Sequence, residues 1–151
     1  SPLLLPHSGT FSANPITMTA GYVAMQDFDQ DAVLKLNELT ALAVAQVKEA
    51  IQIADVPMSV SGSGSMFRLH PRTTTPKSYR KAYQGKKEKA VMVKILDHLF
   101  YEENIIMVNT GTAMLSTAIT GKEVDQLSQG MLNAFKLTRD ELINVQDDPR
   151  G

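Results

Sequence analysis

The sequence of 151 residues contains no cysteine and no tryptophan. The absence of cysteine excludes disulfide bonds, thiolate metal ligands and a thiol nucleophile, and it is typical of proteins from a reducing compartment. No apolar run approaches the roughly 20 residues that a membrane-spanning helix needs, and residues 3–5 are too few for the core of a signal peptide. We therefore expect a cytoplasmic protein with no membrane contact.

An excess of charge of one sign is also lacking, because 15 basic residues stand against 16 acidic ones and the net charge is -1. The chain as a whole has no field that would attract nucleic acid. Residues 68–89 are the local exception, with Glu88 as their only acid, and the basic residues there are Arg68, Arg72, Lys77, Arg80, Lys81, Lys86, Lys87 and Lys89. Because Pro71, Pro76 and Gly85 interrupt this stretch, we predict a long, solvated basic loop. Its tyrosines could stack on single-stranded nucleic acid, but we expect no such partner.

Helical patterns with sharp boundaries alternate with short strand-like ones. Apolar spacing predicts helices over residues 15–28, about 31–54, about 87–103 and 121–135, and a short helical turn after residue 138. It predicts strands over residues 58–60, 66–69, 105–108 and 114–119, the first two joined by a turn rich in glycine and serine. This order indicates an α/β chain of the α+β type, with a small antiparallel or mixed sheet and helices on one face.

Local signals mark where three of the helices begin. Asn14 is a favourable N-cap and Pro15 suits the first helical position. Thr120 and Glu123 have the spacing of a capping box, and Thr138 and Glu141 repeat it. The first helix differs from the others because its apolar face consists of small residues, so we expect it to pack on another domain or another chain.

The segment before that helix is the most informative in the sequence. Ser8, Gly9, Thr10 and Ser12 lead into a helix N-terminus, where unpaired amides and the helix dipole favour an anion and Thr10 adds a hydroxyl donor. The alternative from local grounds is ordinary capping by Ser12 or Asn14.

Other candidate sites have little support. The three histidines His7, His70 and His98 share no helical face, so no metal site is indicated. The sequence shows neither a nucleophile elbow nor a spaced catalytic triad, and we assign no catalytic residue within this chain.

Three segments carry a resemblance to a known family. His7-Ser8-Gly9-Thr10-Phe11-Ser12-Ala13-Asn14-Pro15, with Met18 and Ala20-Gly21 after it, resembles a segment of the class III aminotransferases, which use pyridoxal phosphate. Gly64-Ser65-Met66-Phe67 resembles the strand that opens their C-terminal domain. Met114-Leu115-Ser116-Thr117-Ala118-Ile119-Thr120 is similar to the end of the branch of glutamate-1-semialdehyde 2,1-aminomutase.

The resemblance implies a fold-type-I enzyme that works as a homodimer. It implies that Gly9 and Thr10 reach the phosphate of the pyridoxal phosphate bound by the other subunit. Residues 1–28 would then be an interface segment and helix of a large domain, and residues 29–151 the small C-terminal domain. The substrate of the complete enzyme would be a small amino or keto compound.

The resemblance also implies what the chain lacks. The Schiff-base lysine, the acid that pairs with the pyridine nitrogen and the glycine-rich phosphate turn belong to the family's large domain, upstream of the matched segments. We therefore expect a C-terminal fragment that is not catalytic alone and that associates with the missing large domain or with a second copy. The alternative is a non-catalytic interaction module that binds anions through the eight basic residues of residues 68–89.

Overall fold

The computed structural model describes residues 9–147, so His7 and Ser8 lie outside the described residues. By its internal packing the chain divides into two units, Ser1–Leu34 and Lys35–Gly151, and the division falls within the second helix. The functional division expected between residues 28 and 29 stays a prediction. Within the described part, no helix is both long and apolar enough to cross a bilayer.

The second unit has the predicted α+β architecture, a three-stranded antiparallel sheet packed against helices. In chain order the elements are α1 Pro15–Asp27, α2 Gln30–Ala54, β1 Ser59–Ser63, β2 Met66–His70, α3 Tyr79–Ala82, α4 Lys86–Tyr101, β3 Thr112–Met114, α5 Gly121–Leu137 and α6 Arg139–Asp147. The strand order is β1-β2-β3. Phe67 and Leu69 of β2 are buried on the sheet face that joins the core. Met66, next to Phe67 in the strand, is exposed.

The core lies entirely in the second unit. Its largest fully buried side chains include Phe67 from the sheet, Ile95 from α4, Phe135 from α5 and Leu142 from α6. Helix α2 contributes small residues, among them Ala43, which is completely buried. The helix meets β1 at Gly62, where an added Cβ would lie 2.8 Å from Val44 Cγ2. The predicted apolar faces of α2, α4 and α5 belong to the core, except that Phe100 of α4 is exposed.

Two tight turns fix the sheet and the end of α2. Strands β1 and β2 pair from Ser59 with His70 to Ser63 with Met66, which leaves Gly64 and Ser65 as a two-residue loop. Gly64 has φ +59, a conformation that glycine adopts without steric cost. Helix α2 ends before Pro57, at Ala54, because Asp55 has φ 51 and the amide of Val56 donates to the carbonyl of Ile51. This is the Schellman pattern of helix ends, here with aspartate in place of the usual glycine.

The predicted strand over residues 105–108 is wrong. Within the described residues this segment makes only a single bridge, between Val108 and Thr112, and Ile106 is 81% exposed. An apolar run becomes a strand only if a neighbouring edge accepts its amides and carbonyls. Here β3 pairs with β2 on one side, and after Asn104, which has φ 57, the segment runs extended without a ladder.

The strand predicted over residues 114–119 is displaced. The observed strand is Thr112–Met114, and the amide of Leu115 donates one further bond to the carbonyl of Ser65. Residues 116–119 instead form a turn, which is closed by a hydrogen bond of 3.1 Å from the Ile119 amide to the Ser116 carbonyl. The apolar pattern continues past the point where the pairing stops, so periodicity alone placed the strand too late.

The two predicted capping boxes have different outcomes. Thr120 and Glu123 form theirs: the Thr120 amide donates to Glu123 Oε2 at 2.8 Å and the Lys122 amide donates to Thr120 Oγ1 at 3.3 Å. The hydrogen bonds from the Thr120 hydroxyl and amide hold the pKa of the Glu123 carboxyl below its usual range. At Thr138 the hydroxyl is buried and donates back to the Ala134 carbonyl at 2.8 Å, so it does not cap α6, although the predicted helix is present.

Candidate functional site

Gly9 and Thr10 lie in a tight turn at the beginning of the described residues. The Ser12 amide donates to the Gly9 carbonyl at 3.0 Å, and the Asn14 amide donates to the Phe11 carbonyl at 3.3 Å. A side chain at residue 9 would place its Cβ 3.0 Å from Ser12 Oγ, which is closer than ordinary van der Waals contact. The turn is therefore compact where the sequence has glycine, and it presents Thr10 at the surface.

The helix end next to this turn is capped by its own side chain. Asn14 Oδ1 accepts from the Ile16 amide at 3.0 Å and from the Thr17 amide at 3.4 Å, and Pro15 takes the first helical position. The capping interpretation is thus correct for Asn14, and these amides are not open to a ligand. The donors that remain are in the turn: among residues 9–147, neither the hydroxyl nor the amide of Thr10 has a hydrogen-bond partner.

Helix α1 offers an apolar surface and buries nothing within its unit. None of its residues is buried, and Ile16 is 80% exposed. The predicted face of small residues is present as a shallow groove that includes Ile16, Ala20, Val23 and Ala24. Met18, Tyr22 and Met25 lie outside this groove and are exposed as well. Exposed apolar residues on several sides of a helix are typical of a surface that packs on another domain or another chain.

The histidines have ordinary structural positions. His70 is buried on β2, where its Nε2 lies 2.8 Å from Ser61 Oγ. Burial, with the positive charges of Arg68 and Arg72 nearby, lowers the pKa of His70 to about 4. His98 lies 3.4 Å from the Glu103 carboxylate. Across residues 9–147, no group of three or more potential ligands could hold a metal ion.

The predicted long basic loop is only partly a loop. Arg68 is part of β2, Lys86 begins α4, and α3 interrupts the segment between them. Only residues 71–78 and 83–85 are irregular. Helix α4 begins at Lys86, close to the predicted start near residue 87, and Glu88 caps it by accepting a hydrogen bond from the Gly85 amide at 2.8 Å.

The eight basic residues do not form one free anion-binding patch. Arg72 makes an ion pair with Glu88, whose side chain is 2% exposed, at 2.6 Å to Oε2. Arg68 donates to the Thr110 carbonyl at 3.2 Å, and Lys89 stacks over the ring of Tyr83 at 4.7 Å from its centroid. The alternative function therefore loses Arg68 and Arg72 as ligands. Sequence reasoning missed the Arg72 and Glu88 pair, although a lone acid among eight basic residues was a signal for it.

No protein-family model matches the chain. It is 32% identical over 83 residues to the glutamate-1-semialdehyde 2,1-aminomutase of Archaeoglobus fulgidus, covering 54% of this chain and 20% of that enzyme. It is 25% identical over 122 residues to the enzyme of the same name from Flavobacterium johnsoniae, covering 78% of this chain and 28% of that one.

Two solved structures with a similar fold are both transaminases. The omega-transaminase from Sphaerobacter thermophilus superposes with a TM-score of 0.79 at 30% identity, over 87% of this chain and 30% of that one. A transaminase solved with PLP bound has the same fold, with a TM-score of 0.72 at 23% identity over 91% of this chain. The chain thus spans between a fifth and a third of the proteins it matches. It is similar in sequence and fold to the C-terminal part of aminotransferases and aminomutases.

Proposed function

We propose that this chain is the C-terminal part of a class III aminotransferase or aminomutase that depends on pyridoxal phosphate and works as a homodimer. The similarity to glutamate-1-semialdehyde 2,1-aminomutase and to an omega-transaminase supports this proposal. The complete enzyme would move an amino group on a small amino or keto compound. Residues 1–28 would belong with its large domain and residues 29–151 would form its small domain. The cytoplasmic location stays a prediction.

The open turn at Gly9 and Thr10 is the observation that carries the cofactor proposal. Its exposed hydroxyl and amide have no partner among residues 9–147, and both are donors of the kind that phosphate oxygens accept. The turn therefore fits a phosphate group, which in the proposal belongs to the cofactor of the other subunit. Pyridoxal phosphate, when bound, supplies the electron sink for amino-group transfer. Gly9 and Thr10 contribute only binding and orientation of its phosphate.

A second observation supports the absence of catalysis by this chain alone. Every lysine of the chain lies within the described residues, and each is exposed. A lysine that forms a Schiff base is activated by desolvation or by a neighbouring cation, which lowers its pKa. Exposed lysines lack the desolvation, so we expect pyridoxal phosphate and borohydride to label many lysines of the isolated chain weakly. A single stoichiometric adduct together with amino-transfer activity would contradict this part of the proposal.

Complementation between two defective subunits tests the contact in trans. The chain replaces the matched C-terminal part of the Sphaerobacter thermophilus transaminase, and two chimaeras are made. One carries Thr10→Val and the other lacks the host's cofactor-binding lysine. If Thr10 serves the neighbouring subunit, each mixed dimer has one site in which both defects meet and one site with neither, so activity returns on mixing. If Thr10 serves its own subunit, both sites of the mixed dimer stay defective.

Cofactor affinity provides the second readout for the same residue. Loss of a hydrogen bond to a charged group costs about 1.5–3 kcal/mol, so Thr10→Val should weaken cofactor retention roughly 10-fold to 100-fold. Thr10→Ser keeps the hydroxyl and should retain the cofactor. Thr73→Val is the matched control, because Thr73 is exposed and lies in the other unit. Equal retention by Thr10→Val and Thr73→Val would refute the role of Thr10.

A further inference from the structure

A cavity of about 1170 Å³ lies beside the segment that joins β2 to α4. Its lining comes from residues 72–88 together with Gln146 of α6, all within the second unit. Five cationic residues line it, of which Arg72 is paired with Glu88, and the other four are Lys77, Arg80, Lys81 and Lys86. We call it the basic cavity. The sequence offers these residues only as part of a set of eight basic residues over 68–89, and it does not show which of them share a cavity.

Apart from Arg72, none of these cations makes an ion pair with an acid in the part of the chain that the structure describes. The one acid in the lining, Glu88, is already paired with Arg72. The cavity therefore holds an excess of positive charge on a chain whose net charge is -1. Like charges gathered in a concave site repel one another, and an anion bound there relieves that repulsion.

The wall of the cavity is fixed by hydrogen bonds rather than left as a flexible loop. The Arg72 guanidinium bonds to Glu88, to the carbonyl of Lys81 and, at 3.1 Å, to the carbonyl of Tyr83. Gln146 Nε2 donates to the Pro71 carbonyl at 3.1 Å, which joins α6 to the same frame. These bonds fix the backbone that carries the cations before a ligand arrives, which reduces the ordering cost of binding.

Neutral donors and an aromatic ring complete the lining. Thr74 and Thr75 are exposed hydroxyl residues in the cavity, and Tyr79, also in its lining, is 90% exposed. Lysine and arginine with hydroxyl donors are the combination that binds phosphate oxygens.

We propose that the basic cavity binds a compact polyanion with phosphate chemistry, either a free phosphate anion or the phosphate group of a small organic ester. The proposal goes beyond the aminotransferase function and does not depend on it. Four cations and two hydroxyls match a ligand with at least two negative charges. A ligand of this size fits within the cavity, whereas a long polymer would use only part of it.

Titration of the full chain with pyrophosphate tests the proposal, by calorimetry and by amide shifts in a ¹⁵N-labelled sample. The variant Lys77→Gln/Lys81→Gln removes two of the lining charges. The control Lys35→Gln/Lys48→Gln removes two exposed charges of α2 and so makes the same change in net charge. We expect saturable binding that weakens at least tenfold in the cavity variant and less than twofold in the control, with amide shifts confined to residues 72–88 and α6.

Three results would overturn the proposal. They are an absence of saturable binding, equal weakening in both double variants, and tighter binding of citrate than of pyrophosphate. Oligouridylate is tested as well. If it binds more tightly than pyrophosphate and is equally sensitive to the cavity variant, the cavity is part of a nucleic-acid surface and the proposal of a small phosphate ligand is wrong. Phenyl phosphate distinguishes the two sources of the ligand: tighter binding than inorganic phosphate indicates an ester, and weaker binding indicates the free anion.

Discussion

Replacing Arg72 with methionine should destabilise the second unit strongly. Arg72 Nη2 lies 2.6 Å from Glu88 Oε2 and its Nε lies 2.9 Å from Oε1, so the guanidinium contacts both carboxylate oxygens. The Glu88 side chain is 2% exposed and that of Arg72 is 25% exposed. Methionine keeps much of the apolar volume of arginine but leaves the carboxylate buried, with the Gly85 amide as its one remaining partner among residues 9–147.

The expected loss follows from this burial. Breaking a buried ion pair by removing one partner costs about 3–5 kcal/mol, because the remaining charge stays out of water. Arg72 is one-quarter exposed, so water can partly replace it, and we expect a loss near the lower limit, about 3 kcal/mol. Domains are stable by only about 5–15 kcal/mol in total. The urea midpoint should therefore fall by about 1–3 M.

Urea unfolding followed by circular dichroism measures this loss, with Lys94→Met as the matched control. Lys94 pairs with Glu141 at 2.6 Å, but both side chains are about half exposed, and such pairs contribute only about 0–1 kcal/mol. Combining Arg72→Met with Glu88→Leu should recover part of the loss, because no charge then stays buried. If Arg72→Met costs no more than Lys94→Met, the reasoning from burial is refuted.

Two further predictions concern the sheet. Gly111→Ala should lower the melting temperature, because Gly111 has φ +76 and an added Cβ would lie 2.9 Å from Met92 Sδ. Gly121→Ala is the control and should leave the melting temperature nearly unchanged, because nothing lies within 4 Å of the new Cβ. Equal melting temperatures for the two variants would contradict this. Because the folded pKa of His70, about 4, lies below the unfolded value of 6.5, its contribution to stability is complete above pH 6.5 and is lost as the pH falls towards 4. Urea midpoints across that range should fall less steeply in His70→Gln than in the unmodified chain, and parallel curves would exclude His70 as the cause.

Features set by neighbouring residues could be predicted from the sequence. Asn14 and Pro15 begin α1, and Thr120 and Glu123 begin α5, because a cap needs only residues within one helical turn. The hairpin around Gly64 was equally accessible, since its two-residue loop depends on a local φ. In each case the physical cause lies within a few residues of the effect.

Features that depend on distant partners could not be predicted in the same way. Residues 105–108 form the short apolar run that is typical of a buried strand, but a ladder also needs a free edge, and the sequence does not say which edges are free. Thr138 has the spacing of a capping residue, yet burial directs its hydroxyl to the Ala134 carbonyl. The predicted phosphate contact depends on both kinds of feature. The turn at Gly9 and Thr10 is set by neighbouring residues, whereas the contact itself needs a cofactor and a second subunit.

The segment from residue 68 to 89 shows how composition can mislead when charges are only counted. From composition alone, the eight basic residues and the one acid of this segment predict a solvated basic loop. The structure instead buries the single acid, and Glu88 holds Arg72, the Gly85 amide and so the start of α4 in one arrangement. Burying a carboxylate is tolerated only where a cation and hydrogen bonds satisfy it. A lone acid among many cations is thus a candidate for the fixed point around which the neighbouring backbone is arranged.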